Sequence, residues 1–212
     1  MKRIITIEGN IGAGKSTLIG LLKERYGDKI AVVEEQVNEW KKGFNLLKHY
    51  YLDPHRYAFP FQCMVLRTMH TALIDEITYG DKEFIVCDRC TLTAINVFSR
   101  TQLEEGILNE DQYRRLDEIQ ELYNENYDCH IYLRTPPDIC RDRIVNRGRP
   151  EEDEITLDYL EHLHEKHEEW LDDCIILDGS VNFKDDPKIL EGYLTIIMNE
   201  INQTHHHQKM DI

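Results

Sequence analysis

The residues with the plainest chemistry lie near the N-terminus, where GNIGAGKST runs from Gly9 to Thr17 directly after the apolar run RIITIE (3–8). Gly9, Gly14, Lys15 and Ser16 satisfy the spacing G-x-x-x-x-G-K-[ST], which between a strand and a helix wraps a phosphate in backbone N–H groups. Side chains would obstruct that wrapping, and Gly9, Gly12 and Gly14 leave the room it needs. Asn10, Ala13 and Thr17 complete the loop. A helix opening at Lys15 adds partial positive charge, the Lys15 ammonium reaches the β- and γ-phosphates, and the Ser16 hydroxyl can ligate Mg²⁺. The implied ligands are a nucleoside triphosphate and Mg²⁺. Such a loop alone does not separate kinases from GTPases or ATPases.

Further reactive groups stand where later apolar runs end. Glu34 and Glu35 follow IAVV, Asp88 and Arg89 close EFIVCDR, and Arg143, Arg147 and Arg149 crowd the segment RIVNRGRPEEDE (143–154). Phosphoryl transfer to an alcohol needs a carboxylate to take the proton and cations to gather charge on the migrating group. Glu34 or Glu35 can be that base, Asp88 can hold the metal through water or act as an alternative base, and the arginines can gather the charge. A guanine-reading N-K-x-D is missing, and so is a hydrophobic strand ending in DE, which leaves a small-molecule kinase.

The elements that must position these groups follow from periodicity. Apolar runs at 3–8, 30–34, 83–88, 129–134 and 174–178 alternate with helical segments at 15–26, 38–51, 55–79, 91–104, 109–127, 136–147, 155–171 and 186–202. That alternation predicts an α/β fold: a three-layer P-loop kinase architecture with a five-stranded parallel sheet flanked by helices. In open parallel sheets ligands bind beyond the C-terminal strand ends, where the acids and bases above fall. The charged segment 143–154 is expected to be an arginine-rich lid, 1–202 a single domain, and 203–212, including His205, His206 and His207, a disordered polar tail.

Composition narrows the class. Of the 212 residues, 41% are hydrophobic and 31% charged, as in a soluble globular chain. A formal net charge of -15 argues against a nucleic-acid polymer or an anionic membrane as partner, so any phosphate must be held by a local cluster. No apolar run reaches signal-peptide or membrane-span length, and an intracellular, cytoplasmic protein is expected. The six cysteines are scattered along the chain and read as reduced thiols, while His162, His164 and His167 sit in EHLHEKHEEW, which reads as a solvated helix face.

Taken in order, GNIGAGKST, EEQVNEW, YYLDPHRYAFPFQ, the DR pair, YLRTPP, RGRPEE and LHEKHEEWL resemble the deoxyribonucleoside kinase family, over about residues 3–185. The resemblance implies ATP as phosphate donor and a deoxynucleoside as acceptor. It also implies that Glu35 deprotonates the sugar 5′-hydroxyl, with Trp40 lining the pocket, although the family has proline where this chain has Gln36. Gln62 matches the glutamine that bonds the Watson–Crick edge of the base, with Phe61 stacking and Phe98 opposite. Tyr51 and Glu152 match partners of the 3′-hydroxyl, and Arg89 the arginine near the 5′-oxygen. Asp88 matches the metal-associated acid, Arg143, Arg147 and Arg149 the arginines that close on the triphosphate, and Phe183 an aromatic beside adenine. Cys90 stands where the family usually has serine.

Val65, Met69 and Ala94 occupy base-pocket positions that vary within the family and resemble those of multisubstrate insect and thymidine-preferring members. Thymidine and deoxycytidine are therefore the expected substrates. A homodimer packed through 55–79 and 109–127 is implied as well. The alternatives are a monophosphate kinase of the thymidylate kinase type, which would need extra cations at the acceptor, and a regulatory nucleotide-binding protein without catalysis.

Overall fold

The structure, a computed structural model, describes residues 2–202. Strands β1 (Arg3–Glu8), β2 (Ile30–Val33), β3 (Phe84–Asp88), β4 (Cys129–Arg134) and β5 (Ile175–Asp178) form one sheet in the order β2-β3-β1-β4-β5. Each adjacent pair runs parallel. The helices are α1 (Lys15–Tyr26), α2 (Val37–Trp40), α3 (Leu46–Leu52), α4 (Pro54–Tyr79), α5 (91–104), α6 (Glu110–Tyr123), α7 (Pro137–Arg147), α8 (Leu157–Trp170) and α9 (Pro187–Asn202).

A parallel sheet carries helices on both faces, so its strands are largely apolar. On one face Ile5 and Ile7 of β1 meet Leu18 and Leu22 of α1 and Ile197 and Ile201 of α9. On the other, Ile4 packs with Ile85, Cys87 and Leu73 of α4. Further along, this second face turns polar beneath α5 and α8. The Thr6 hydroxyl bonds His130 Nδ1 at 2.8 Å, Glu8 accepts from the Thr93 hydroxyl at 2.7 Å, and Tyr132 stacks on His167 at 5.7 Å. Ligand atoms of Glu8, Cys90 and His130 lie within 4.8 Å of one another, but the two threonines already engage the carboxylate and the imidazole. Burial also pushes the Cys90 thiol up, which keeps its proton on.

Three expected helices take a different form. The segment 38–51 divides into α2 and α3, because Gly43 (φ 60) and Asn45 (φ 48) adopt left-handed conformations that interrupt a helix. Asn45 then caps α3 by accepting from the Lys48 N–H at 3.1 Å. The rod α5 is composite, with π-helical Ala94–Ser99 between Thr91–Thr93 and Arg100–Glu104. Helix α6 stops at Tyr123, short of 127, where Asn124 (φ 48) ends it. The expected lid begins inside α7, which Gly148 (φ 62) terminates, and continues through the 3₁₀ turn Pro150–Glu152 to α8. The tail at 203–212, with its three histidines, lies outside the described residues. Among those residues, no helix is long and apolar enough to cross a membrane.

His167, expected on a solvated helix face, is instead fully buried against the polar face of the sheet. Its Nδ1 donates to the Leu163 carbonyl at 2.6 Å, while Nε2 has no partner among the described residues. Burial pulls its pKa down to about 3. The unfolded chain therefore takes up a proton near pH 6.5 that the folded chain refuses, and stability falls as pH drops from there toward about 3. The contribution approaches about 1.4 kcal/mol per pH unit. Denaturant unfolding of wild type and His167→Gln across this range should show a shallower acid slope in the variant, and identical slopes would refute the assignment.

Candidate active site

The loop between β1 and α1 takes its shape from backbone constraints. Gly9, Gly12 and Gly14 have φ of 146°, 80° and 104°, values that side chains disfavour. A Cβ on Gly12 would lie 2.5 Å from the Cys140 carbonyl oxygen of α7, so the loop packs directly on that helix. The Ala13 carbonyl accepts from the Thr135 hydroxyl at 3.0 Å and from Arg143 at 2.8 Å. Asn10 donates to the Leu160 carbonyl at 2.8 Å, which ties the loop to α8. Lys15 bridges the loop's two ends, donating to the Gly9 and Asn10 carbonyls at 3.0 Å each. Burial and the neighbouring Arg89 charge pull its pKa down to about 8, against Asp88, Glu35 and Glu8.

Arg89 is the hub of the acids. It leaves β3 in the left-handed region (φ 65), uncommon for a side chain of this size and a form of strain that clusters at functional sites. Its guanidinium donates to Glu35 at 2.5 Å and to the Gly9 carbonyl at 3.1 Å, and stands 5.1 Å over the Phe98 ring. Burial alone would lower its pKa, but Glu35, Asp88 and Glu8 outweigh that and raise it. The two glutamates that spacing alone leaves equivalent are thus separated. Glu35 is mostly buried against Arg89, whereas Glu34 is exposed and pairs with Lys23 at 3.0 Å.

Ser16 donates its hydroxyl to Asp88 Oδ2 at 3.0 Å. Asp88 Oδ1 is buried without a hydrogen-bond partner among the described residues, and burial followed by Glu35 raises the carboxyl's pKa despite Lys15 and Arg89. An orphaned carboxylate oxygen beside a hydroxyl, at the foot of a phosphate loop, suits a hard divalent cation such as Mg²⁺.

A cavity of about 400 Å³ joins this charged floor to an aromatic chamber. Its lining includes Ile11 to Thr17, Glu35, Arg89, Trp40, Phe61 and Gln62. Phe61 stacks on Tyr50 at 5.0 Å and meets Trp40 edge-on at 5.6 Å, and Trp40 Nε1 donates to the Thr68 hydroxyl at 2.9 Å. Val65, Phe98 and Tyr51 complete the wall. At the rim Arg147 and Arg149 bond Glu152 at 2.7 and 3.3 Å, and Phe183 and Arg143 flank Gly14 at 3.4 and 3.5 Å from the place a Cβ would take.

The deoxynucleoside kinase family model matches residues 5–206, nearly the whole chain. The protein belongs to the deoxynucleoside kinase family. It is 34% identical over 212 residues to the probable deoxycytidine kinase of fowlpox virus (strain NVSL), across 94% of this chain and 88% of that one. It is 33% identical to deoxycytidine kinase 2 of Gallus gallus, over 91% and 87% of the two chains, and 34% identical to deoxycytidine kinase of Bos taurus, over 79% and 74%. The chain is accordingly an ATP-dependent kinase acting on deoxynucleosides.

Of the site residues expected in this deoxynucleoside kinase, Gly9, Asn10, Asp88, Met69 and Ala94 do not line the large cavity. Met69 lines a second, small one with Asp88, Cys90 and Tyr127, and Ala94 is buried in the cluster behind Phe61. Sequence reasoning overlooked Tyr50, Gln102 and Glu8. Gln102 is fully buried and lines the cavity, yet in FSRTQLEEG it carries no motif, and only the π-turn before it shifts its phase toward the chamber.

With its pKa near 8, Lys15 is only partly charged in the free kinase around that pH, and an anion bound beside it favours the protonated form. ATP binding at pH 8 should take up about half a proton, vanishing toward pH 6. Calorimetry in buffers of different ionisation enthalpy reads this directly. An uptake unchanged in Lys15→Ala would assign the proton elsewhere.

Proposed function

We propose that this kinase transfers the γ-phosphate of ATP to the 5′-hydroxyl of pyrimidine deoxynucleosides, deoxycytidine and thymidine alike. The observation that carries the reading is the Glu35–Arg89 pair, which stands between the phosphate loop and the aromatic chamber in one continuous cavity. Glu35 takes the 5′-hydroxyl proton, and Arg89 holds that carboxylate in position while offering its charge to the oxygen that attacks. A carboxylate at the acceptor end suits a neutral nucleoside and repels a monophosphate.

Gly9, Asn10, Gly12, Ala13, Gly14, Ser16 and Thr17 hold the triphosphate through the loop, Lys15 at its β- and γ-phosphates. Arg143, Arg147 and Arg149 gather charge on the phosphoryl oxygens, a task suited to planar forked donors. Ser16 and Asp88 would hold Mg²⁺, which when bound neutralises phosphate charge. Phe183 lies against the adenine. Trp40, Phe61, Val65 and Phe98 enclose the nucleobase, Gln62 reads its edge, and Tyr51 with Glu152 binds the sugar 3′-hydroxyl. Met69 and Ala94, uncharged and behind that wall, set no charge against the base. Residues 1–202 form one kinase domain, cytoplasmic in keeping with six free thiols.

Replacing Glu35 with Gln should lower kcat by ~10²- to 10⁴-fold, the usual loss when a general base is removed, with nucleoside affinity nearly kept. Retention of most activity would show that another group is the base. Across the four deoxynucleosides, deoxycytidine and thymidine should outpace both purines, and a preference for deoxyguanosine would overturn the substrate assignment.

Assembly as a homodimer through α4 and α6 belongs to the same reading, supported by Ile74, Ile77 and Leu122, which stand exposed on those helices. Light scattering should give twice the chain mass for wild type and a monomer for Leu122→Glu with Ile77→Glu. A monomeric wild type removes the dimer.

A further inference from the structure

Gln62 does not stand alone in the chamber. Its amide is bonded to the Gln102 amide at 3.3 Å, Gln102 is bonded to the Tyr50 hydroxyl at 2.8 Å, and the Tyr50 and Tyr159 hydroxyls are 3.3 Å apart. Gln62, Gln102 and Tyr50 are buried, while Tyr159 is half-buried. One polar atom of Gln62, Oε1, has no partner among the described residues, and both Gln62 and Gln102 line the cavity. A buried amide oxygen left unpaired is costly unless a ligand meets it.

Every link in this chain can run in either direction. In one, Gln62 donates to Gln102, Gln102 donates to Tyr50, and Tyr50 donates to Tyr159. In the other, Tyr159 donates to Tyr50, Tyr50 to Gln102, and Gln102 to the Gln62 oxygen. Amides carry donor and acceptor on opposite arms and hydroxyls serve as both, so each direction satisfies Gln102 and Tyr50, while the half-buried Tyr159 hydroxyl at the end of the chain turns to match. The two directions present the free arms of Gln62 to the cavity in opposite order. Cytosine offers an amino donor beside the N3 acceptor, and thymine a carbonyl acceptor beside the N3–H donor, so the two bases need opposite orders.

We infer that Gln102, backed by Tyr50 and Tyr159, is a specificity-determining residue: a neutral relay that reverses as a unit and so lets one glutamine accept both pyrimidines. This rests on Gln62 being the base reader. A charged residue at 102 would fix the direction of the relay and with it the base. Deoxycytidine and thymidine share the sugar and the acceptor oxygen, so their kcat/KM ratio isolates the relay from everything else in the site.

Tyr159→Phe tests it. Without the second hydroxyl, Tyr50 keeps a partner for its proton only by donating to Gln102, because the opposite direction buries an unpaired O–H. The deoxycytidine-to-thymidine kcat/KM ratio should shift about tenfold or more one way, with the KM for ATP unchanged. Gln102→Leu should weaken both substrates by similar factors. In Gln102→Leu with Tyr159→Phe the ratio should return to within about twofold of wild type, because the relay is cut between the two positions. A ratio unmoved in Tyr159→Phe, while Gln62→Leu depresses both substrates, overturns the relay and leaves Gln62 as reader. If Gln62→Leu leaves both substrates untouched, the base-reading assignment itself falls. Matching melting temperatures of the variants exclude unfolding as the cause.

Discussion

One buried guanidinium fastens the site together. Arg89 leaves β3 in a strained conformation and spends its donors on Glu35 at the end of β2 and on the Gly9 carbonyl at the end of β1, with Phe98 of α5 beneath it. The ends of β1 and β2 and the middle of α5 are thereby held at fixed separations. A buried cation is tolerable only with compensating charge close by, and Glu35, Asp88 and Glu8 provide it. Lys15 shares the same carboxylates and comes off worse, since burial and Arg89 together make its proton loosely held. The floor of the cavity is therefore balanced between two cations and three acids before any phosphate arrives.

That balance bears on how a protein of net charge -15 can hold a polyphosphate at all. Its field at a distance repels the ligand, so binding depends on short-range donors clustered in the cavity. The loop N–H groups and α1 terminus supply fixed dipoles, and the rim arginines supply charge held by Glu152. Because Glu152 pairs with both Arg147 and Arg149, whatever draws those arginines toward phosphate also frees this carboxylate. On the proposed role of Glu152 at the sugar, one side chain would link the two ends of the cavity.

How far the site could be read from the chain varied with how much its backbone is constrained. The phosphate loop was legible because its geometry forbids side chains at Gly9, Gly12 and Gly14, which leaves a mark in the sequence. The strands were legible as apolar runs, since both faces of the sheet are covered. The break between α2 and α3 was signalled by Gly43 and Asn45, but the apolar periodicity on either side masked it. Spacing could not separate Glu34 from Glu35, because which of two adjacent carboxylates turns inward is decided by Arg89, 54 residues further on. Gln102 left no trace, as its position depends on a π-turn that no residue type announces.

The distribution of charge along the cavity has a physical logic of its own. At the phosphate end the groups are ionic and their protonation states are set by one another. At the aromatic end Gln62, Gln102, Tyr50 and Tyr51 are neutral, and burial pushes both tyrosines further from ionising. An ion placed there would be desolvated without a phosphate to meet, at a cost of several kcal/mol. Neutral amides and hydroxyls avoid that cost and keep the freedom to exchange donor for acceptor that no ion has. The same burial that makes Arg89 dependent on its carboxylates therefore makes the chamber beyond it dependent on groups that can reverse their hydrogen bonds. A fixed polarity at one end of the cavity and an exchangeable one at the other fits the proposed reading, in which the phosphate is constant and either pyrimidine is accepted.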